Sequence, residues 1–165
     1  MLINIKMRYI QNINKVIRII FGIFFLSLSL LAIIAPTYQS ICGYPKGEKI
    51  YSLLSPICHQ YPTRSIWIFD RPFALCSRCF GGYLGLGISY FIIHPKQKYL
   101  FRLLKGIILV IPGITDGIFQ LMTIYESSNI IRLITGILGG IGIFYILYPF
   151  KSVKDKKEDL NENIT

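Results

Sequence analysis

Four residues in the middle of the chain have the types and spacing for chemistry: the adjacent pair Cys58-His59, then Cys76 and Cys79 in Cys76-Ser77-Arg78-Cys79. Three thiolates and an imidazole make a known tetrahedral zinc set, and Cys-x-x-Cys is equally a redox spacing. The second pair leads directly into the glycine-rich apolar run from Phe80 to Ile93. A thiol in the first turn of a helix there meets the positive end of the macrodipole, which favours the thiolate that binds metal or attacks a disulfide. Sulfur ligation selects zinc, copper(I) or iron over calcium or magnesium. Because Cys58 and His59 are neighbours, both reach one ion only with a strained backbone. His59 is therefore expected as a ligand or as a catalytic base beside the metal.

Other chemistry stays open at this level. Outside the cytoplasm thiols tend to be oxidised, and Cys42 supplies a fourth cysteine, enough for two purely structural disulfides. Loop cysteines beside a membrane-edge Cys-x-x-Cys also resemble the arrangement in quinone-coupled thiol oxidases. That reading pairs Cys42 with Cys58 and Cys76 with Cys79, and needs a quinone pocket near Pro112. In a third reading, Asp116 carries an ion or proton beside a broken helix.

The surrounding composition is that of an integral membrane protein. Of 165 residues, 53% are hydrophobic and only 16% charged, with a mean hydropathy of +0.53. Apolar segments predict an all-α bundle of four transmembrane helices, at about 16–35, 72–94, 101–123 and 129–150, with a long extracytoplasmic loop between the first two. Residues 1–150 form one membrane domain and 151–165 a charged tail. The second span is too short unless it is extended back to Pro72, with Asp70 as its cap, which puts Cys76 and Cys79 on one face inside its first turns. Lys6, Arg8, Lys15 and Arg18 precede the first span, but Pro36 after Ala35 argues against a cleaved signal peptide. The charge of +10 is interleaved with apolar runs rather than gathered with base-stacking aromatics, so nucleic acid is not an expected partner and the lipid bilayer is.

Basic residues before the first span, in the link after His94 (Lys96, Lys98, Arg102, Lys105) and after Phe150 put three segments on one side. The positive-inside rule makes that side the cytoplasm, with both termini in it and the chain multipass in the cell membrane. His94 lies at that interface, away from the cysteines. Trp67 and the tyrosines fit an aromatic belt.

Gly81-x-x-x-Gly85-x-x-x-Ser89 and Gly136-x-x-x-Gly140 give two helices small-residue ridges for close packing. Pro112-Gly113 should kink the third span, and Asp116, Gln120 and Thr123 follow on one face. An intramembrane carboxylate needs a partner, and Arg132 across a hairpin is the expected one, either as a register-fixing ion pair or as part of a site. Ser127, Ser128 and Asn129 read as helix caps, with Asn129 beside the polar cluster. Arg64, Arg78 and Arg132 could bind an anionic group such as a lipid phosphate, with metal-bound water as nucleophile and Asp116 or His59 as base. There is no GxGxxG, P-loop, HExxH or GxSxG element.

The stretch from Tyr51 to Ser65 and the stretch from Leu75 to Gly85 resemble a family of small predicted membrane proteins known as a domain of unknown function. Its pattern reads CHQ-x-P-x-R-S, then C-x-R-C-x-G-x-Y-x-G, then Asp-Gly-x-x-Gln, Ser/Thr-Asn and Arg-x-x-x-Gly. Here these are Cys58, His59, Gln60, Pro62, Arg64, Ser65, Cys76, Arg78, Cys79, Gly81, Tyr83 and Gly85, then Asp116, Gly117, Gln120, Ser128, Asn129, Arg132 and Gly136. Gly82 departs from the usual aliphatic residue, and Cys42 is outside the pattern, which weakens the two-disulfide account. The resemblance implies a multipass membrane protein and supplies no activity.

Overall fold

A computed structural model describes residues 2–43, 45–93, 99–122 and 125–148, with side chains from residue 13 onward. His94, the link 95–98, Thr123 and the tail 151–165 lie outside the described residues. The order is α1 (Leu2–Cys42), α2 (Glu48–Leu54), 3-10 turns at Ser55–Ile57 and Pro62–Arg64, β1 (Trp67–Ile68), β2 (Arg71–Pro72), α3 (Ser77–Ile92), α4 (Tyr99–Leu121) and α5 (Asn129–Leu147). Three stretches are long and apolar enough to cross a membrane: Ile13–Cys42, Tyr99–Leu121 and Asn129–Leu147. Large apolar side chains such as Ile20, Ile108 and Ile130 point outward from these helices, as lipid-facing residues must.

α3 lies between α1 and α5, and its two faces are packed by different means. Toward α1 the contact is aromatic: Phe25 stacks on Tyr83 and on Tyr90, at 6.1 Å between ring centres in each case. Toward α5 the contact is main chain against main chain. A Cβ added at Gly81 would strike the Leu133 carbonyl, one at Gly85 the Ile137 carbonyl, one at Gly136 the Arg78 carbonyl and one at Gly140 the Gly82 carbonyl. Both expected ridges are thus in use, against each other. Ser89, the third member of the α3 ridge, is fully buried and returns its hydroxyl hydrogen to the Gly85 carbonyl at 2.7 Å. α4 closes on α5 through a similar pair, Gly106 and Gly142.

Two expected boundaries are corrected. α1 does not stop at Ala35 but runs through Pro36 to Cys42. Proline cannot donate to the carbonyl four residues back, which here belongs to Ala32. That freed oxygen instead accepts the Ala74 N–H at 3.3 Å, docking the segment before α3 onto α1. The second correction concerns α3, which begins at Ser77, not Pro72. Pro72 lies in β2, paired with Trp67, and Asp70 shares the hairpin turn with Phe69 rather than capping a helix. Both turn residues have positive φ, 53° and 56°, as a two-residue turn that matches strand twist requires.

Between the hairpin and α3 the chain is extended and buried: Phe73, Ala74 and Leu75 are 5%, 0% and 0% exposed. Buried extended backbone survives only if its polar groups are paired. The Pro72 carbonyl accepts the Tyr51 hydroxyl at 2.6 Å, Phe73 N–H donates to Ile66 at 2.7 Å, and the Ala74 carbonyl accepts the Gln60 amide at 2.9 Å. The region between α1 and α3 is therefore a small folded cap over the bundle end.

At the other end, buried Arg18 closes α3 by donating to the carbonyls of Tyr90 and Ile93, the closest at 2.7 Å. Arg18 and Arg102 stack over the Tyr148 ring at 5.7 and 5.5 Å. α4 continues unbroken through Pro112.

Candidate metal centre and adjoining pocket

Three of the cysteines come together where the cap meets the start of α3. Cys58 follows the first 3-10 turn in extended conformation, Cys76 is the residue preceding α3, and Cys79 lies in its first turn. Their sulfurs lie within 4.8 Å of one another. Tetrahedral zinc with bonds of about 2.3 Å spaces its sulfurs about 3.8 Å apart, so the three cysteines are a group that could hold one ion.

Gln60 holds Cys58 in place. It takes a left-handed conformation, φ 52°, and its side-chain amide bridges the Tyr51 and Ala74 carbonyls at 2.7 and 2.9 Å. Cys58 Sγ then accepts backbone N–H groups from Cys76 at 3.2 Å and Gln60 at 3.5 Å. It also accepts from the thiols of Cys76 and Cys79, and these bonds, more than the backbone ones, hold its pKa well below the ordinary thiol range despite burial. Cys58 is thus the thiol whose surroundings most favour a thiolate.

His59 stands apart from this group. It is exposed and stacks on Tyr61, ring centres 5.9 Å apart. Of the expected three cysteines and one histidine, the structure gathers the cysteines and not His59, for the reason of adjacency: extended backbone at Cys58 sends the next side chain the other way. Cys42 is exposed at the end of α1, outside the cluster, and all four thiols are free.

A cavity of about 310 Å³ adjoins the cluster, lined by Cys76, Arg78 and Cys79 from α3 and its approach, Gln120 and Arg132 from α4 and α5, and His59, Tyr61 and Arg64 from the cap. Asp116 is buried, 5% exposed, but does not line it. The expected Asp116–Arg132 pair does not form: Asp116 is bound by the Arg78 guanidinium and the Tyr125 hydroxyl. Arg132 is taken by oxygens near its own helix start, its Nε donating to Ser127 Oγ and its Nη1 to Asn129 Oδ1, both at 3.0 Å. Asn129 in turn donates to the Ser65 carbonyl at 3.0 Å, tying α5 to the cap from behind Arg132. Ser128 caps α5 as expected, accepting the Ile131 N–H at 3.3 Å.

Sequence reasoning missed Tyr125, Ser127 and Tyr61 as parts of this constellation. Nothing marks Tyr61 or Tyr125 among 11 tyrosines. Ser127 was legible only as a cap, since its bond to Arg132 depends on how the turn folds.

Residues 58–146 match the family described as "Predicted membrane protein (DUF2085)". An uncharacterized protein of Methanocaldococcus jannaschii is 38% identical over 86% of this chain and 95% of its own length. Another, from Methanothermobacter thermautotrophicus, is 40% identical over 53% of this chain and 80% of its own. No solved structure matches. The matched residues begin at Cys58 and take in the thiol cluster and every cavity-lining residue.

Proposed function

The chain belongs to the predicted membrane protein family DUF2085, and from that premise we propose that it is a membrane-edge metalloprotein, with Cys58, Cys76 and Cys79 holding zinc or a similarly soft ion. The single observation that carries this reading is the mutual approach of three sulfurs to within 4.8 Å beside a cavity. Three protein ligands leave a fourth position open, the pattern of catalytic rather than closed structural zinc. A water held there would be activated at neutral pH, the chemistry of a hydrolase. His59, on the cavity, is the residue placed to act as base, whereas Asp116 is engaged by Arg78 and Tyr125 and serves as their anchor.

The quinone-coupled alternative needs Cys42 to pair with Cys58, but Cys58 is already the centre of the other cluster. The transport alternative needs a carboxylate free to exchange its partner, and Asp116 is doubly bound. Both are the weaker readings.

The proposal includes four crossings with both termini cytoplasmic. The 16 residues of α3 span about 24 Å, short of the bilayer core at about 30 Å. The buried extended lead-in from Phe73 adds about 13 Å. Non-helical backbone is tolerated at membrane depth when protein surrounds it. The basic residues at the Arg18 and Arg102 end then face the cytoplasm.

Metal analysis of anaerobically purified full-length protein, with a count of reactive thiols, tests the centre. The expected result is one zinc per chain, three protected cysteines and a reactive Cys42. Metal-free protein with paired cysteines would overturn it.

A further inference from the structure

The cavity carries more positive charge than its surroundings neutralise. Among the described residues the one ion pair is Arg78 with Asp116, and no carboxylate lines the cavity. Arg132 is 6% exposed, lines the cavity, and is bound by the neutral oxygens of Ser127 and Asn129, with no carboxylate within ion-pair distance among the described residues. Asp116 and Glu126 act on it only from beyond ion-pair distance, and a buried guanidinium without a contacting counter-charge is costly, so a partner is called for. Arg64 faces the same space from the cap, its guanidinium 5.5 Å over the Tyr61 ring. Arg78 has a buried Nε with no hydrogen-bond partner.

We propose that this cavity is a binding site for a phosphoryl anion, clasped by Arg132 from the bundle and Arg64 from the cap. Planar guanidinium forks match phosphate oxygens two at a time, and Gln120 adds a neutral amide on the same cavity. The volume, about 310 Å³, exceeds what one phosphate fills, so the anion carries an organic group: a soluble phosphate monoester or the headgroup of a phospholipid. The site rests on the arginines and not on the metal, so it stands independently of the zinc reading. If both hold, the ester sits against the open metal position.

The full-length protein is titrated with glycerol phosphate in detergent, and separately reconstituted in phosphatidylcholine nanodiscs with and without phosphatidic acid, with phosphorus NMR and thermal shift as readouts. Saturable binding weakened about ten- to a hundred-fold by Arg132→Gln and by Arg64→Gln is expected, since each change removes a charged hydrogen-bond donor. Arg64 is exposed, so its variant keeps the fold even if the Arg132 variant does not. Binding of glycerol phosphate supports a soluble monoester, and binding only with phosphatidic acid supports a lipid headgroup. Absence of saturable binding in both arms, or binding that Arg64→Gln leaves unchanged, overturns the proposal. Each titration is repeated on zinc-loaded and chelator-stripped protein. Phosphate binding with no zinc stoichiometry would sink the metal centre alone, and zinc without phosphate would sink the anion site alone.

Discussion

Cys58 is the residue on which the site turns, because its sulfur is at once a hydrogen-bond acceptor for the start of α3 and a candidate ligand. Replacing Cys58, Cys76 or Cys79 by Ser should each abolish zinc stoichiometry, whereas His59→Ala and Cys42→Ala should retain it; loss of metal in His59→Ala would restore histidine to the ligand set. The pH dependence follows from the protons in the cluster. The surroundings of Cys58 lower its pKa, and any thiol must give up its proton to bind metal. Apparent zinc affinity should therefore rise with pH, with release of protons on binding, measurable by calorimetry in buffers of differing ionisation enthalpy. The cysteine trio was readable from spacing. The exclusion of His59 and the choice of Arg78 as partner of Asp116 were not, since both depend on side-chain directions that linear spacing does not fix. Asp116→Ala should destabilise by about 2 kcal/mol, below the full cost of breaking a buried pair because Arg78 keeps 32% exposure, and thermal denaturation in detergent would show it.

Among the elements, α3 and α5 bring most of the site together, and their glycines decide how closely. Gly140→Leu and Gly85→Leu should each lower the melting temperature and disturb metal binding, because the new side chain meets main-chain oxygen that cannot turn aside. Gly139, with open space around it, is the control: Gly139→Ala should cost little. The two ridges were visible in the sequence as small residues four apart. The cap was not, because its short 3-10 turns and two-residue strands have no hydrophobic period to detect. The same is true of the start of α3. Composition allows a helix from Pro72, but the hydrogen bonds of Phe73 and Ala74 to Ile66 and Ala32 hold that stretch extended. Pro36 was read as a stop and is instead the source of the free Ala32 carbonyl.

For the molecule as a whole, hydropathy alone established membrane character and charge asymmetry suggested its direction. The thiols, Asp116 and the cap lie at one end of the bundle and Arg18 and Arg102 at the other. Single-cysteine labelling should find Cys42 modified from outside the cell by a membrane-impermeant maleimide, and labelling only after permeabilisation would invert the proposed topology. The direct contact of α3 with α5 also bears on what the cavity can accept. Gly136 lies against the Arg78 carbonyl, so the two helices that carry Arg78 and Arg132 are spaced by main-chain packing rather than by intervening side chains. That spacing acts as a fixed gauge: selection among guests should follow their size, and bulky analogues should be turned away outright, not accommodated at reduced affinity.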